Sequence, residues 1–167
     1  LEFCGGDRFL IAVTADGKAQ QFEVAKHDAP RAIPHDGRVG AIAVSAAGDG
    51  LVVLGDAVDG HLTAWRPGTL EKVWSAPAWR EAQPVRELRF DARGDEVLCV
   101  GDRSVVVFSA EGAPRGAIAC AGKPTAVTWC NADRIAIAEQ RLDAPGTADS
   151  RIAVYEHDGD AWAEVAQ

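Results

Sequence analysis

Apolar and other residues alternate with a period of two along most of this chain, in runs of only four to six positions. Ala41-Ile42-Ala43-Val44, Glu87-Leu88-Arg89-Phe90 and Ala126-Val127-Thr128-Trp129 are examples, and Leu1-Glu2-Phe3 has the same character. That period belongs to an extended strand with one buried face, not to a helix. A Gly/Asp turn and a second apolar run follow each: Gly6-Asp7 before Phe9-Leu10-Ile11, Gly48-Asp49-Gly50 before Leu51-Val52-Val53, Gly94-Asp95 before Val97-Leu98, and Ala132-Asp133 before Ile135-Ala136. Gly and Asp supply turn conformations, whereas Val, Ile and Leu favour the extended segments that come next. A third run closes on an aromatic residue, Phe22, Trp65, Phe108 or Tyr155, at intervals of 43, 43 and 47 residues. A looser extended piece completes each unit: Arg31-Ala32-Ile33, Lys72-Val73-Trp74, Gly116-Ala117-Ile118-Ala119-Cys120 and Trp162-Ala163-Glu164-Val165.

Four short strands in each of four units, repeating every 40 to 50 residues, predict an all-β chain: a β-propeller arc of four four-stranded antiparallel blades. The units fall at approximately 1–34, 35–80, 81–121 and 122–167, within a single domain or segment. A two-helix repeat would need apolar residues at i, i+3, i+4 and i+7 over ten or more positions, and the runs are too short and too rich in Val, Thr and Gly to supply them.

The second unit resembles a WD repeat. His35 is followed by Val39, Ile42, Val44, Ser45 and Gly48, and the pattern continues through Leu51 and Gly55 to Asp59-Gly60-His61-Leu62-Thr63-Ala64-Trp65, with one extra residue in the Gly55 to Asp59 turn. The resemblance implies that His35, Asp59 and Trp65 form a buried hydrogen-bonded network tying the blade together, with the usual strand hydroxyl missing because Val52 and Val53 occupy its region. The other units diverge: Glu81 stands at the His position of the third, the fourth has no His, and the closing dipeptides read Phe22-Glu23, Trp65-Arg66, Phe108-Ser109 and Tyr155-Glu156. The family's rings usually have about seven blades. The resemblance and an opening inside a strand pattern together suggest part of a larger ring. Its terminal blades would expose edges for pairing with missing blades or another copy.

Composition narrows the chemistry. An apolar fraction of 47% with 25% charged residues is that of an ordered, soluble protein. With 17 Lys plus Arg against 25 Asp plus Glu the formal charge is -8, and the basic residues are scattered, which disfavours nucleic acid and anionic membrane as partners. No apolar run is long enough to cross a membrane as a helix, and the first residues lack the basic start of a signal peptide. A cytoplasmic location is favoured, with an upstream signal sequence left open. Cysteines 4, 99, 120 and 130 form no paired spacing for zinc, and those inside apolar runs, Leu98-Cys99-Val100 and Ile118-Ala119-Cys120, read as small buried hydrophobes.

No catalytic, metal-binding or cofactor constellation emerges. Gly116 to Gly122-Lys123-Pro124 has the wrong spacing for a phosphate loop and a Pro where the hydroxyl belongs. The five serines lie in no nucleophile elbow, and the four histidines have no ligand spacing. Trp79 and Arg80, in the Pro77-Ala78-Trp79-Arg80 loop, and Arg141, in the irregular stretch 139–150, are the candidate partner-surface residues. The resemblance implies a non-catalytic scaffold that binds protein or peptide. The alternatives are the propeller portion of a larger enzyme, such as a serine peptidase of the prolyl oligopeptidase type, or a periplasmic propeller similar to the translocation protein TolB.

Overall fold

The computed structural model describes residues 1–26, 28–46, 50–144, 147–159 and 161–166, and the side chains of 141–149 lie outside what it describes. His27, Gly48 and Asp49 of the turn expected in the second unit, and Asp160 fall outside the described residues. Among the described residues sixteen strands form four antiparallel sheets, each with its strands paired in chain order. Blade 1 comprises β1 (Glu2–Cys4), β2 (Phe9–Val13), β3 (Ala19–Glu23) and β4 (Arg31–Ile33). Blade 2 comprises β5 (Val39–Val44), β6 (Val52–Asp56), β7 (His61–Arg66) and β8 (Glu71–Pro77). Blade 3 comprises β9 (Glu87–Phe90), β10 (Glu96–Val100), β11 (Ser104–Ser109) and β12 (Pro114–Ala119), and blade 4 comprises β13 (Lys123–Asn131), β14 (Arg134–Ala144), β15 (Thr147–His157) and β16 (Trp162–Ala166). No helix occurs among the described residues.

First strands of successive blades approach one another, β1 against β5 and β5 against β9, so they stand nearest the hub. Each blade carries a cross-strand row of large apolar residues in register: Phe3, Leu10 and Phe22 in blade 1, then Val44, Val52 and Trp65, then Phe90, Val97 and Phe108, then Trp129, Ile135 and Tyr155. The aromatic repeat of the sequence is one column of this array. In blades 2, 3 and 4 the row faces the preceding blade and packs there. Trp65 shares one buried cluster with Cys4, Phe9 and Ile11, Phe108 with Ala43, Val53 and Ala64, and Tyr155 with Leu98, Val105 and Val107. Alternation puts successive side chains on opposite faces, so the same strands that present this leading face to one neighbour present a trailing face to the next. Each fully buried side chain of this kind contributes about 1.5 to 3 kcal/mol.

Rim contacts pin the stacked faces. The Arg31 guanidinium donates to the Gly68 carbonyl at 2.6 Å and the Gly68 amide donates to Gln21 Oε1 at 3.0 Å, joining blades 1 and 2. Trp74 donates through Nε1 to the Ala110 carbonyl at 2.7 Å and lies over Phe108. Gly112, at φ +86°, leaves room for that ring: a Cβ there would sit 2.6 Å from Trp74 Cγ. Between blades 3 and 4, the Arg115 carbonyl lies 3.1 Å from His157 Nε2.

Residues 139–144 and 147–150 belong to strands and not to the irregular loop expected there; β14 and β15 run eleven residues each and stay paired through Gln140↔Ser150 and Arg141↔Asp149. β13 stops pairing with β14 at Gln140, so the hairpin continues beyond it as a two-stranded ribbon. Main-chain hydrogen bonds sustain a ladder without apolar alternation, which is why the side-chain pattern did not reveal it.

Truncating Leu98, fully buried between blades 3 and 4, to Ala is expected to cost about 2 to 5 kcal/mol of unfolding free energy. Val58→Ala, at an exposed turn position, is expected to stay within about 0.5 kcal/mol. Urea unfolding followed by tryptophan fluorescence checks both.

Candidate interaction face

The turns joining second to third strands and the segments entering each blade from the one before lie on the same side of the arc, because Val39 pairs with Asp56 and Pro124 with Glu139 at that end of the ladder. His35, Asp59, Trp79 and Arg80 all belong to this side. Arg141 lies at the corresponding end of β14, and its side chain is outside the described residues.

His35 is brought to different partners from those expected. Its Nδ1 is 2.9 Å from Thr63 Oγ1 and its Nε2 is 3.7 Å from Asp56 Oδ2, with both ionisable side chains almost fully buried. Asp56 Oδ1 accepts the amides of Val58 at 2.7 Å and Asp59 at 2.8 Å. Asp59 turns the other way and accepts the His61 amide at 2.9 Å. The extra turn residue explains the change: it moves Asp59 out to the tip and leaves Asp56 at the ladder end, opposite the strand that His35 leads into. The hydroxyl comes from Thr63 on β7. Trp65 is not joined to His35; it packs against blade 1, and its buried Nε1 has no hydrogen-bond partner among the described residues.

Burial lowers the His35 pKa, with the nearby Asp56 carboxylate opposing. For Asp56 burial acts upward, but the amides of Asp59 and Val58 and the His35 ring prevail and hold the carboxyl below its usual value. The two groups therefore form a neutral imidazole beside a carboxylate.

Blade 4 has a carboxylate at the equivalent ladder position that sequence reading missed. Glu139 is fully buried and accepts the Gly122 amide at 3.1 Å, Arg151 Nε at 3.3 Å and the Tyr155 hydroxyl at 3.5 Å. Arg151 also bonds Glu164 at 3.3 Å. Counting from the aromatic column fails to find Glu139 because the β14–β15 hairpin is longer than its counterparts. The register of first and second strands would have found it. Burial raises the thiols of Cys4 to about 11 and Cys120 to about 12, the latter with help from Glu139, so both are poor nucleophiles at neutral pH.

Trp79 is half-buried. Its ring is wedged between Gly60 and Gly101, where a Cβ would lie 2.6 Å from Cε3 and from Cζ2 respectively, and it packs against the blade 2 to blade 3 core. Arg80 beside it is exposed. Gln83, in the same segment, accepts the Asp102 amide at 3.2 Å, and Arg86 bonds Asp102 at 2.9 Å. The segment is thus clamped across two blades. At the hub, a groove of about 630 Å³ follows β5 and β9, walled by Arg86, Glu87, Arg89 and Asp91. On the opposite side of the arc, Arg8, Lys26, Arg31 and Arg66 gather around a cleft of about 570 Å³ between blades 1 and 2, with Glu23 bridging Arg8 and Lys26. These cations are far apart in sequence, which is why they read as scattered. Among the described residues no three His, Cys, Asp or Glu side chains group to hold a metal ion, and no helix is long and apolar enough to cross a membrane.

No family model and no curated protein matches the chain. Solved structures do. The chain is similar to U3-55K at 17% identity over 99% of its own length and 50% of that chain, with a TM-score of 0.71. It is similar to Kluyvelomyces marxianus Hsv2 at 11% identity, 96% and 55% coverage and a TM-score of 0.70. The Myceliophteria thermophila Cps50 (Swd1) β-propeller domain matches at 13% identity, 96% and 56% coverage and a TM-score of 0.72. These are WD40 β-propeller proteins, and the chain has their fold: four blades of a WD-repeat-like propeller. It spans about half the length of the structures it matches.

His35→Ala leaves the buried Asp56 and Thr63 without that partner and is expected to cost about 1 to 3 kcal/mol. Because the folded His35 pKa lies below its ordinary value of 6.5, the unfolded chain binds the proton more readily. Stability is then full above that value and falls as pH drops below it. His35→Asn, which does not titrate, is expected to flatten this part of the profile in chemical unfolding between pH 7 and pH 5.

Proposed function

We propose that this chain is a non-catalytic interaction scaffold that binds a protein or peptide on the face carrying residues 78–86 and along the hub groove. The observation that carries the reading is the placement of exposed Arg80 on a segment clamped across blades 2 and 3 by Trp79, Gln83 and Arg86, the last of which also lines a groove of about 630 Å³. A charge carried on a clamped segment costs less entropy to engage than one on a mobile loop, because the main chain that carries it is already ordered. The first strands β5 and β9 are sheet edges toward the hub, and an extended peptide satisfies such edges through its main chain while Arg86, Glu87, Arg89 and Asp91 read its side chains. The fold shared with WD40 propellers supports this reading by analogy. Arg141 is proposed as an outlying contact on the same face.

The test is affinity capture with the whole chain and identification of bound proteins, followed by titration of the recovered partner. Arg80→Glu is expected to weaken binding about tenfold, equivalent to about 1.4 kcal/mol, without lowering the unfolding midpoint. A partner bound equally well by Arg80→Glu and by a hub variant, Arg89→Glu, would place its site elsewhere and sink the reading.

A further inference from the structure

The outer strand of blade 1 stops short. β4 spans three residues, against seven for β8, six for β12 and five for β16. Its pairing with β3 ends at Gln21↔Arg31, so Phe22 and Glu23 have no fourth-strand partner, whereas Trp65 and Arg66 at the same positions of blade 2 are paired with Lys72 and Glu71. The cleft of about 570 Å³ between blades 1 and 2 opens at this shortfall. Phe9, Gln21 and Glu23 of blade 1 form one wall and the turn Arg66-Pro67-Gly68-Thr69 of blade 2 forms the other.

Arg8, Lys26, Arg31 and Arg66 line the cleft against two carboxylates, Glu23 and Asp28. The excess is two positive charges, in a chain whose formal charge is -8. Three of the cations are held in place. Arg8 lies over the Phe9 ring at 5.0 Å and reaches Glu23 at 3.3 Å, Lys26 reaches the same carboxylate at 2.9 Å, and Arg31 donates to the Gly68 carbonyl at 2.6 Å. The exposed Arg66 guanidinium makes no hydrogen bond or ion pair with any described residue. Like charges gathered in this way repel one another until an anion enters among them. A phosphate monoester carries about -1.5 to -2 at neutral pH, which matches the excess, and its oxygens suit the forked donors of guanidinium groups.

The rest of this side of the arc narrows what can carry the phosphate. Between blades 3 and 4 the corresponding cleft is acidic: Asp91, Asp95, Glu96, Glu111 and Asp133 line it with only Arg93 and Arg115 as cations. A flat anionic membrane or a long nucleic acid would meet those carboxylates as well as the basic cleft, and a single phosphate on a peptide need not. The unpaired end of β3 also suits a peptide, whose main chain can continue a sheet edge.

We propose that the cleft between blades 1 and 2 binds a phosphorylated segment of a partner protein. Arg66, with Arg8, Lys26 and Arg31, takes the phosphate, and the flanking main chain lies along Phe22 and Glu23 where β4 falls short. This site is on the opposite side of the arc from Arg80 and does not rest on the interaction reading of that face.

The test uses the whole purified chain and a fluorescent pool of degenerate peptides with one central phosphoserine, read by anisotropy. The pool is expected to bind about tenfold or more tightly than the same pool carrying serine. Inorganic phosphate is expected to compete, and in amide NMR spectra to shift Gly68 and Lys26 and not residues of blades 3 and 4. Arg66→Glu is expected to weaken binding of the phosphoserine pool about tenfold or more with the urea midpoint retained. Lys26→Glu, at another exposed position, takes its place if that variant loses its sheet signal in circular dichroism. Arg103→Glu makes the same charge change at an exposed turn on the other side of the arc and is expected to leave binding as it was. Equal binding of the two pools, a cleft variant that binds like the wild type, an equal loss in Arg103→Glu, or binding to phosphatidylcholine and phosphatidylserine vesicles in place of the peptides each overturns the proposal.

Discussion

Stacking of one sheet face on the next is the interaction on which the whole molecule rests. No four-stranded blade of this size has two-layer burial of its own; its apolar residues are covered only when the neighbouring blade lies against them. The recurrent row of Val44, Val52 and Trp65 and its counterparts in blades 3 and 4 therefore acts as the joint between successive units, with rim bonds such as Trp74 to Ala110 fixing the angle at which faces meet.

Within that stack, polar groups do a narrower task. Asp56 and Glu139 occupy equivalent ladder ends and bond different groups: Asp56 orders its own turn and faces His35, while Glu139 receives a backbone amide of the segment entering its blade together with Arg151 and Tyr155. A buried carboxylate is tolerated only when such donors surround it, and once surrounded it specifies one arrangement of the chain. Both carboxylates stiffen the face on which residues 78–86 and the hub groove lie. Rigid sheets with ordered connecting segments are the material of a binding platform.

The fold was legible because its cause is local and repeated. Alternation of period two, Gly/Asp turns and an aromatic column at a nearly constant interval are properties of a linear string, and the structural neighbours with WD40 propeller folds agree with the architecture they imply. The candidate face was legible only in outline. His35 was recognisable as a network residue from its motif, but Asp59 and Trp65 came to it from the same resemblance to a WD repeat, and one additional turn residue was enough to substitute Asp56 and Thr63. Trp79 stood out as a loop aromatic, yet glycines at 60 and 101, distant in sequence, draw its ring into a joint between blades.

What the sequence by itself determined, then, is the number of strands, their grouping in fours and which side of each strand is apolar, since these follow from backbone geometry and near-neighbour chemistry. Tertiary structure alone decided which carboxylate meets His35, that Glu139 is paired and that four scattered cations share a cleft. Each of those depends on strand register and on how blades are angled, quantities set by contacts between residues tens of positions apart and absent from any local pattern.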